Sequence, residues 1–324
     1  MNVTELARWR RRVWSSRRMR CLTPRTENPP SGPVLFAIVR NEMLRLPRFL
    51  QHYRTLGVTR FYFVANNCTD ETVSYLREQS DVCLYQTPET FVRKEAWIDL
   101  LLRRHGVGRW CLVVDADELF DYPDAPRVGL PELCAYLDDR GDTAVHAILL
   151  DLYPAVPLEE VGYQSGADYF TMPWYFDPPE SLRKVPRAFY KGSGLDHRLE
   201  GGSRERLFGV KSCCSKFPLF RYHPGMFLSD GQHYIEGARI SPLRGILYHF
   251  KYLQDFAPHV REEIGRGQHW QGAREYKTYA SVLRDQGAEL QFHDERSIRY
   301  KGSAQLEALG LIIRPADFPK ANRP

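Results

Sequence analysis

Between residues 34 and 114, short apolar runs alternate with amphipathic stretches, and that alternation leaves few folds open. Residues 34–39, VLFAIV, are an apolar run of strand length. The next stretch predicts a helix over 46–56, because Pro47 suits a first turn and Gly57 suits a stop. Residues 58–65, VTRFYFVA, are β-branched and aromatic, which predicts a second strand. Asp70 is placed to cap a helix over 71–79, and residues 82–85 are a short third strand. Residues 91–105 put Trp97, Leu100 and Leu101 on one helical face before Gly106, and 110–114 form a fourth strand. Strand and helix in turn predict an α/β fold, a mostly parallel sheet flanked by helices on both faces. Ligands of such sheets sit beyond the carboxyl ends of the strands. Polar clusters fall at three of those ends: Arg40-Asn41-Glu42, then NNCTD over 66–70, then DADE over 115–118.

Further along, a helix is predicted over 130–140 and a strand over 145–152. Residues 153–212 are rich in Gly, Pro and aromatics without periodicity, the composition of a long binding loop. Strands are predicted over 216–222 and 245–250, and helical C-terminal additions over 252–286 with a Gly-rich break at 265–272. This divides the chain into a basic segment and Pro-rich linker (1–33), an α/β half (34–155), a half with long loops (156–250) and a helical extension (251–324).

With 43% hydrophobic residues the chain can bury a substantial core. It has no run of the roughly 20 apolar residues that a membrane span needs. No signal-peptide core appears in the first 30 residues, so a cytoplasmic location is expected. The seven cysteines follow no zinc spacing and read as reduced thiols. Net charge is only +5, but Arg8, Arg10, Arg11, Arg12, Arg17, Arg18 and Arg20 crowd one end. Such an end suits anionic lipid, nucleic acid or a phosphorylated substrate. With Trp9 and Trp14 among the arginines, residues 1–20 read as an amphipathic helix at an anionic membrane surface, peripheral at the inner face. A disordered solubilising arm is the alternative, and no nucleic-acid partner is expected.

The DADE cluster is the sharpest chemical signal. Asp115 and Asp117 stand two apart where a buried strand leaves the sheet, a spacing that lets both side chains point the same way. Adjacent carboxylates repel, and a divalent cation offsets this; oxygen ligands suit Mg2+ or Mn2+ better than zinc. The bland alternative is an acidic turn that caps a following helix.

Taken together and in order, VLFAIVRNE, LPRFLQHYRTLGVTRFYFVANNCTDET and WCLVVDADELF resemble family 2-type glycosyltransferases of the GT-A fold, in a bacterial subgroup. The resemblance covers residues 34–155, and SKFPLFRY and LYHFKYLQDF also look like this subgroup. It implies a GT-A-like sheet and a nucleotide diphosphate-sugar donor. Asp117 would bind Mn2+ or Mg2+, Asp115 would contact nucleotide or the metal shell, and Glu118 would support the site. A late histidine returns to the metal in such enzymes, which the resemblance places at His249; Lys251 would reach the diphosphate. Arg40, Asn41, Glu42, Asn66, Asp70 and Arg93 lie at the implied nucleotide edge, although a helix cap explains Asp70 without a ligand. The subgroup often has Asp-Asn where this chain has Ala65-Asn66, and Ser where it has Cys68, so an acid that usually holds the nucleotide is missing. The catalytic base is sought among the acids of the long loop region, with Glu205 and Asp196 put forward and Asp177 and Glu200 weighed beside them. His233 is a further candidate contact. The activity implied is metal-dependent sugar transfer to a hydroxyl of a glycan or lipid-linked acceptor. The alternatives are nucleotidyl or phosphoryl transfer on the same sheet, and a glycan-binding module without catalysis.

Overall fold

The computed structural model describes residues 18–23, 31–187, 195–229, 231–268, 270–287 and 290–319. The basic-helix reading of residues 1–20 and the linker reading of 23–33 fall almost wholly outside these.

Eight main strands carry the architecture: β1 Val34–Val39, β2 Arg60–Asn66, β3 Val82–Thr87, β4 Trp110–Val113, β5 Glu118–Asp121, β6 Ala144–Asp151, β7 Ser215–Arg221 and β8 Ile240–His249. They lie in one sheet in the order β3-β2-β1-β4-β7-β6-β8-β5, and a two-residue strand at Arg20–Cys21 extends the β3 edge. β3, β2, β1 and β4 are mutually parallel, as are β6 and β8. β7 enters antiparallel between β4 and β6, and β5 closes the far edge antiparallel to β8. All but one residue of β1 is buried, as expected of a central strand covered on both faces.

The main helices are α1 Leu46–Thr55, α2 Thr72–Arg77, α3 Lys94–Leu101, α4 Leu130–Arg140, α5 Ser203–Phe208, α6 Phe256–Arg266, α7 Trp270–Gln286 and α8 Ser303–Ala308. α1 turns Leu46, Phe49, Leu50 and Tyr53 into the core. Its chain exit needs Gly57, whose φ of 96° an L side chain rarely adopts. The helix expected over 91–105 is α only from Lys94 to Leu101; a 3-10 turn precedes it and one wide turn, Leu102–Gly106, follows. α2 is shorter than expected. Asp70 still accepts the Thr72 N–H at its start (3.0 Å) and also binds the Met43 N–H (3.2 Å).

Two features lie outside the sequence reading. Residues 118–121, to which the sequence assigns no element, pair as a strand with the end of β8. The long loop region contains an antiparallel pair, Leu182–Pro186 with His197–Gly201, and supplies two strands to a small sheet completed by Ile298–Arg299. No described helix is long and apolar enough to cross a membrane, and all seven cysteines are free.

Candidate active site

The chain leaves the sheet at Val113, and Asp115 to Asp117 form a tight turn rather than a continued strand. The Glu118 N–H closes that turn on the Asp115 carbonyl (3.1 Å), while a Glu118 carboxylate oxygen accepts the Asp115 N–H (3.1 Å). From behind, the Tyr53 hydroxyl of α1 donates to the Glu118 carbonyl and accepts the Phe120 N–H, both at 3.0 Å. The turn is therefore pinned at both ends to buried elements.

Register then gathers the acids. His249 is paired across the sheet with Asp151 of β6 on one side and Glu118 of β5 on the other. The ring of His249 lies between two carboxylates, with Nε2 at 3.0 Å from Asp117 Oδ2 and Nδ1 at 2.6 Å from Asp151 Oδ1. Asp151 is itself held by the Ser203 hydroxyl (2.9 Å) and Arg204 Nε (3.0 Å) at the start of α5. Burial disfavours the imidazolium, but Asp117 and Asp151 outweigh it and raise the pKa of His249 to about 9. At neutral pH both ring nitrogens donate. Asp117 responds in kind: burial pushes it up, yet the charge and hydrogen bond of His249 hold it well below the usual carboxylate range.

Asp115 and Glu118 share a different cation. The buried ammonium of Lys216, on β7, donates to Asp115 at 2.9 Å and more closely still to Glu118. Burial works against the Lys216 charge, but the two carboxylates prevail and raise its pKa. Glu118 is 1% exposed, and burial raises its pKa despite Lys216. Asp115 is 57% exposed, and its pKa is lowered because Lys216 and Lys94 outweigh burial. The sequence argument looks to an outside cation to offset the repulsion of these acids; inside the fold, Lys216 and protonated His249 already do so.

The other candidates are placed as follows. Arg40 donates to the Asn67 carbonyl (3.0 Å) and pairs closely with Glu262 of α6. Asn41, at a φ of 53°, accepts the Thr69 N–H (2.7 Å) and so ties the first strand end to the second. Glu42 is half-buried beside Arg45 (3.5 Å), and desolvation, opposed by Arg45, raises its pKa to about 8. Asn66 is wholly buried and donates to the carbonyls of Thr87 and Glu89, bracing the ends of β2 and β3. Arg93 stands 3.7 Å from Glu89. Lys251, two residues beyond His249, lies over the rings of Tyr276 and Tyr279 at 5.3 and 5.4 Å. Glu205 is ion-paired with Arg183 (2.6 Å), as Glu200 is less closely (3.2 Å), while Asp177 is bound by Arg206. Asp196 is 97% exposed and touches His197 at 2.8 Å. His233 is bonded to the Ser215 carbonyl (2.7 Å), next to Lys216.

Sequence reasoning did not single out Lys216, Asp151, Ser203 or Arg204. A signal existed for two of them: a lysine opening an apolar strand in SKFPLF, and an acid closing one in AILLD.

Do these groups suit a divalent cation? Ligand atoms of Asp117, Glu118 and His249 all lie within 4.8 Å of one another. Two donors about 2.1 Å from one octahedral ion and at right angles to each other lie about 3.0 Å apart. Asp117 Oδ2 and His249 Nε2 have that separation, 3.0 Å. Asp151 behind Nδ1 is the carboxylate partner that orients a ligating histidine. The residues fit, with a proton on Nε2 occupying the place of the ion.

No family model matches the sequence, and no curated protein matches it. Among solved structures the chain is similar to S. aureus TarS 1-349 in complex with UDP, at 12% identity and a TM-score of 0.37 over 79% of this chain and 72% of that one. It is also similar to a mannosyltransferase from Pyrobaculum calidifontis in complex with GDP-Man and Mn2+ (14%, 0.36, 94% and 86%). A third likeness is to a UDP-glucose pyrophosphorylase complexed with UDP-glucose (13%, 0.29, 87% and 98%). With parallel β3-β2-β1-β4 followed by antiparallel β7, the sheet is a mixed α/β sheet.

Proposed function

We propose that the protein is a glycosyltransferase that moves a sugar from a nucleotide diphosphate donor to a hydroxyl of a glycan or lipid-linked acceptor, with Mn2+ or Mg2+. The observation that carries this is the Asp117–His249 pair backed by Asp151 at the carboxyl ends of β4, β6 and β8. Asp117 and His249 hold the cation, with Glu118 in reach. When bound, the ion stabilises negative charge on the departing diphosphate. Asp115, kept charged by Lys216 and over half exposed, offers its free oxygen to the donor nucleotide beside a narrow cleft that includes Phe91 and Lys94. Lys251 serves the diphosphate. Asp196 is the better candidate for taking the acceptor's proton, because its carboxylate is open to solvent while Arg183 engages Glu205. Asn66, which matches the subgroup pattern, gives both amide protons to the sheet ends, so its amide nitrogen is not available to the nucleotide.

A panel of nucleotide sugars with Mn2+ tests the proposal, read as nucleoside diphosphate release with and without EDTA. Release that stops in EDTA and returns with Mn2+ is expected, and Asp117→Asn should lower turnover by at least about 100-fold with the protein still folded. Pyrophosphate formation or consumption would instead identify a nucleotidyltransferase. Glycan binding with no donor turnover would identify a binding module.

A further inference from the structure

One cavity among the described residues does not lie over the acids. It encloses about 530 Å³ between α1, β5 and the segment leading into α8. Alternation along the strands puts it on the other side of the sheet. Tyr248 faces it and the adjacent His249 faces the acidic site; Asp121 faces it and Glu118, three residues earlier in β5, does not.

Its walls are of two kinds. One is aromatic: Phe170 and Tyr300 lie with ring centroids 5.1 Å apart, and Phe170 stands edge-on to Tyr248 at the same distance. The other is polar and partly fixed. Tyr300 donates to the Tyr248 hydroxyl (2.8 Å), which donates to Asp121 Oδ2 (2.7 Å). That chain spends both protons and leaves oxygen lone pairs as acceptors at its Tyr300 end. His52 is neutral, since burial lowers its pKa to about 4, and its Nε2–H is given to the Phe120 carbonyl at 2.8 Å. The lone pair of its Nδ1 is a further acceptor. Two cations, Arg48 and Lys301, line the same cavity against the single carboxylate of Asp121. Arg48 is tied to Asp168 (2.9 Å), yet its Nε is buried without a hydrogen-bond partner.

We infer that this cavity binds one pyranose ring of a glycan, and that the ring carries a carboxylate. Its volume is in the range that holds a small ligand. Aromatic faces on one wall suit the C–H face of a sugar, while hydroxyl-directed acceptors on the other suit its rim. Lys301, which makes no ion pair among the described residues, selects the acidic ring over a neutral one, while Arg48 is balanced by Asp168. The inference does not depend on the chemistry of the acidic site, which lies across the sheet.

The test is isothermal titration calorimetry on the full chain in EDTA without metal or nucleotide, using glucuronic acid, glucose and inorganic phosphate as probes. Glucuronic acid should bind, and glucose should bind more weakly. Tyr300→Ala should weaken both by about tenfold or more, and Lys301→Glu should remove the advantage of the acidic sugar while leaving glucose unchanged. Should Tyr300→Ala melt early, Tyr300→Phe keeps the ring and removes only the hydroxyl; a weaker response to both sugars is then expected. The inference is overturned if neither sugar binds, if glucose equals glucuronic acid in the unaltered chain, if phosphate alone binds, or if the variants change nothing.

Discussion

Removing the Lys216 side chain would leave Glu118, 1% exposed, without the cation that shares its carboxylate. Breaking a buried pair on one side costs about 3–5 kcal/mol, because the surviving charge is stranded. Lys216→Met should therefore destabilise the fold by about that amount in urea unfolding. The double change Lys216→Met with Glu118→Gln should recover a large part, since the stranded charge is gone. If the single change is neutral, Lys216 is not the internal counter-ion of this site. His249 makes a second demand at this scale. Its folded pKa of about 9 exceeds the ordinary 6.5, so the folded state holds a proton that the unfolded chain releases between those values. Its stabilising contribution is complete below pH 6.5 and is lost as pH rises through 9. At about 1.4 kcal/mol per pKa unit this is ~3 kcal/mol, an order of magnitude only. Unfolding of metal-free protein at pH 6.5 and 9 measures it, and His249→Gln should flatten the difference.

At the scale of elements, the DADE turn is held by a helix that touches none of its carboxylates. Tyr53 of α1 reaches under β5 and satisfies one donor and one acceptor of its backbone. Tyr53→Phe keeps the ring in the core and leaves the Phe120 N–H and Glu118 carbonyl unpaired. A cost of about 1–3 kcal/mol is expected. Because Glu118 and Asp117 ride on that backbone, Mn2+ binding should weaken as well. Unchanged metal affinity in a destabilised Tyr53→Phe protein would show that the turn keeps its shape without α1. The motifs themselves were readable here: the acids, the late histidine and the strand leading to each. Their assembly was not, because β8 meets β5 and β6 across gaps of about a hundred residues, as in the 98 and 132 residues that separate His249 from Asp151 and Asp117. No local pattern encodes that register.

For the whole molecule, one sheet serves as the frame for both cavity and acids, so ligand binding at the acidic site should register as global stability. A ligand at about 100 times its Kd adds about 2.7 kcal/mol if it binds only the folded state. Mn2+ together with a nucleoside diphosphate should raise the unfolding midpoint accordingly, and the gain should vanish in Asp117→Asn. Equal gains in both proteins would place the metal elsewhere.

What the sequence by itself determined is the order of elements over 34–114 and the chemical character of their ends. Apolar runs of strand length, helical faces such as that of α1, and Gly57 or Gly141 at helix exits are local properties, and each is written in neighbouring residues. The tertiary structure alone decided which charges meet. Lys216 neutralises Asp115 and Glu118 because β7 inserts antiparallel between β4 and β6, and Asp151 backs His249 because β6 and β8 are paired in register. The repulsion expected among the acids depends on distance to counter-charges, and those distances exist only once strands remote in sequence have been laid side by side.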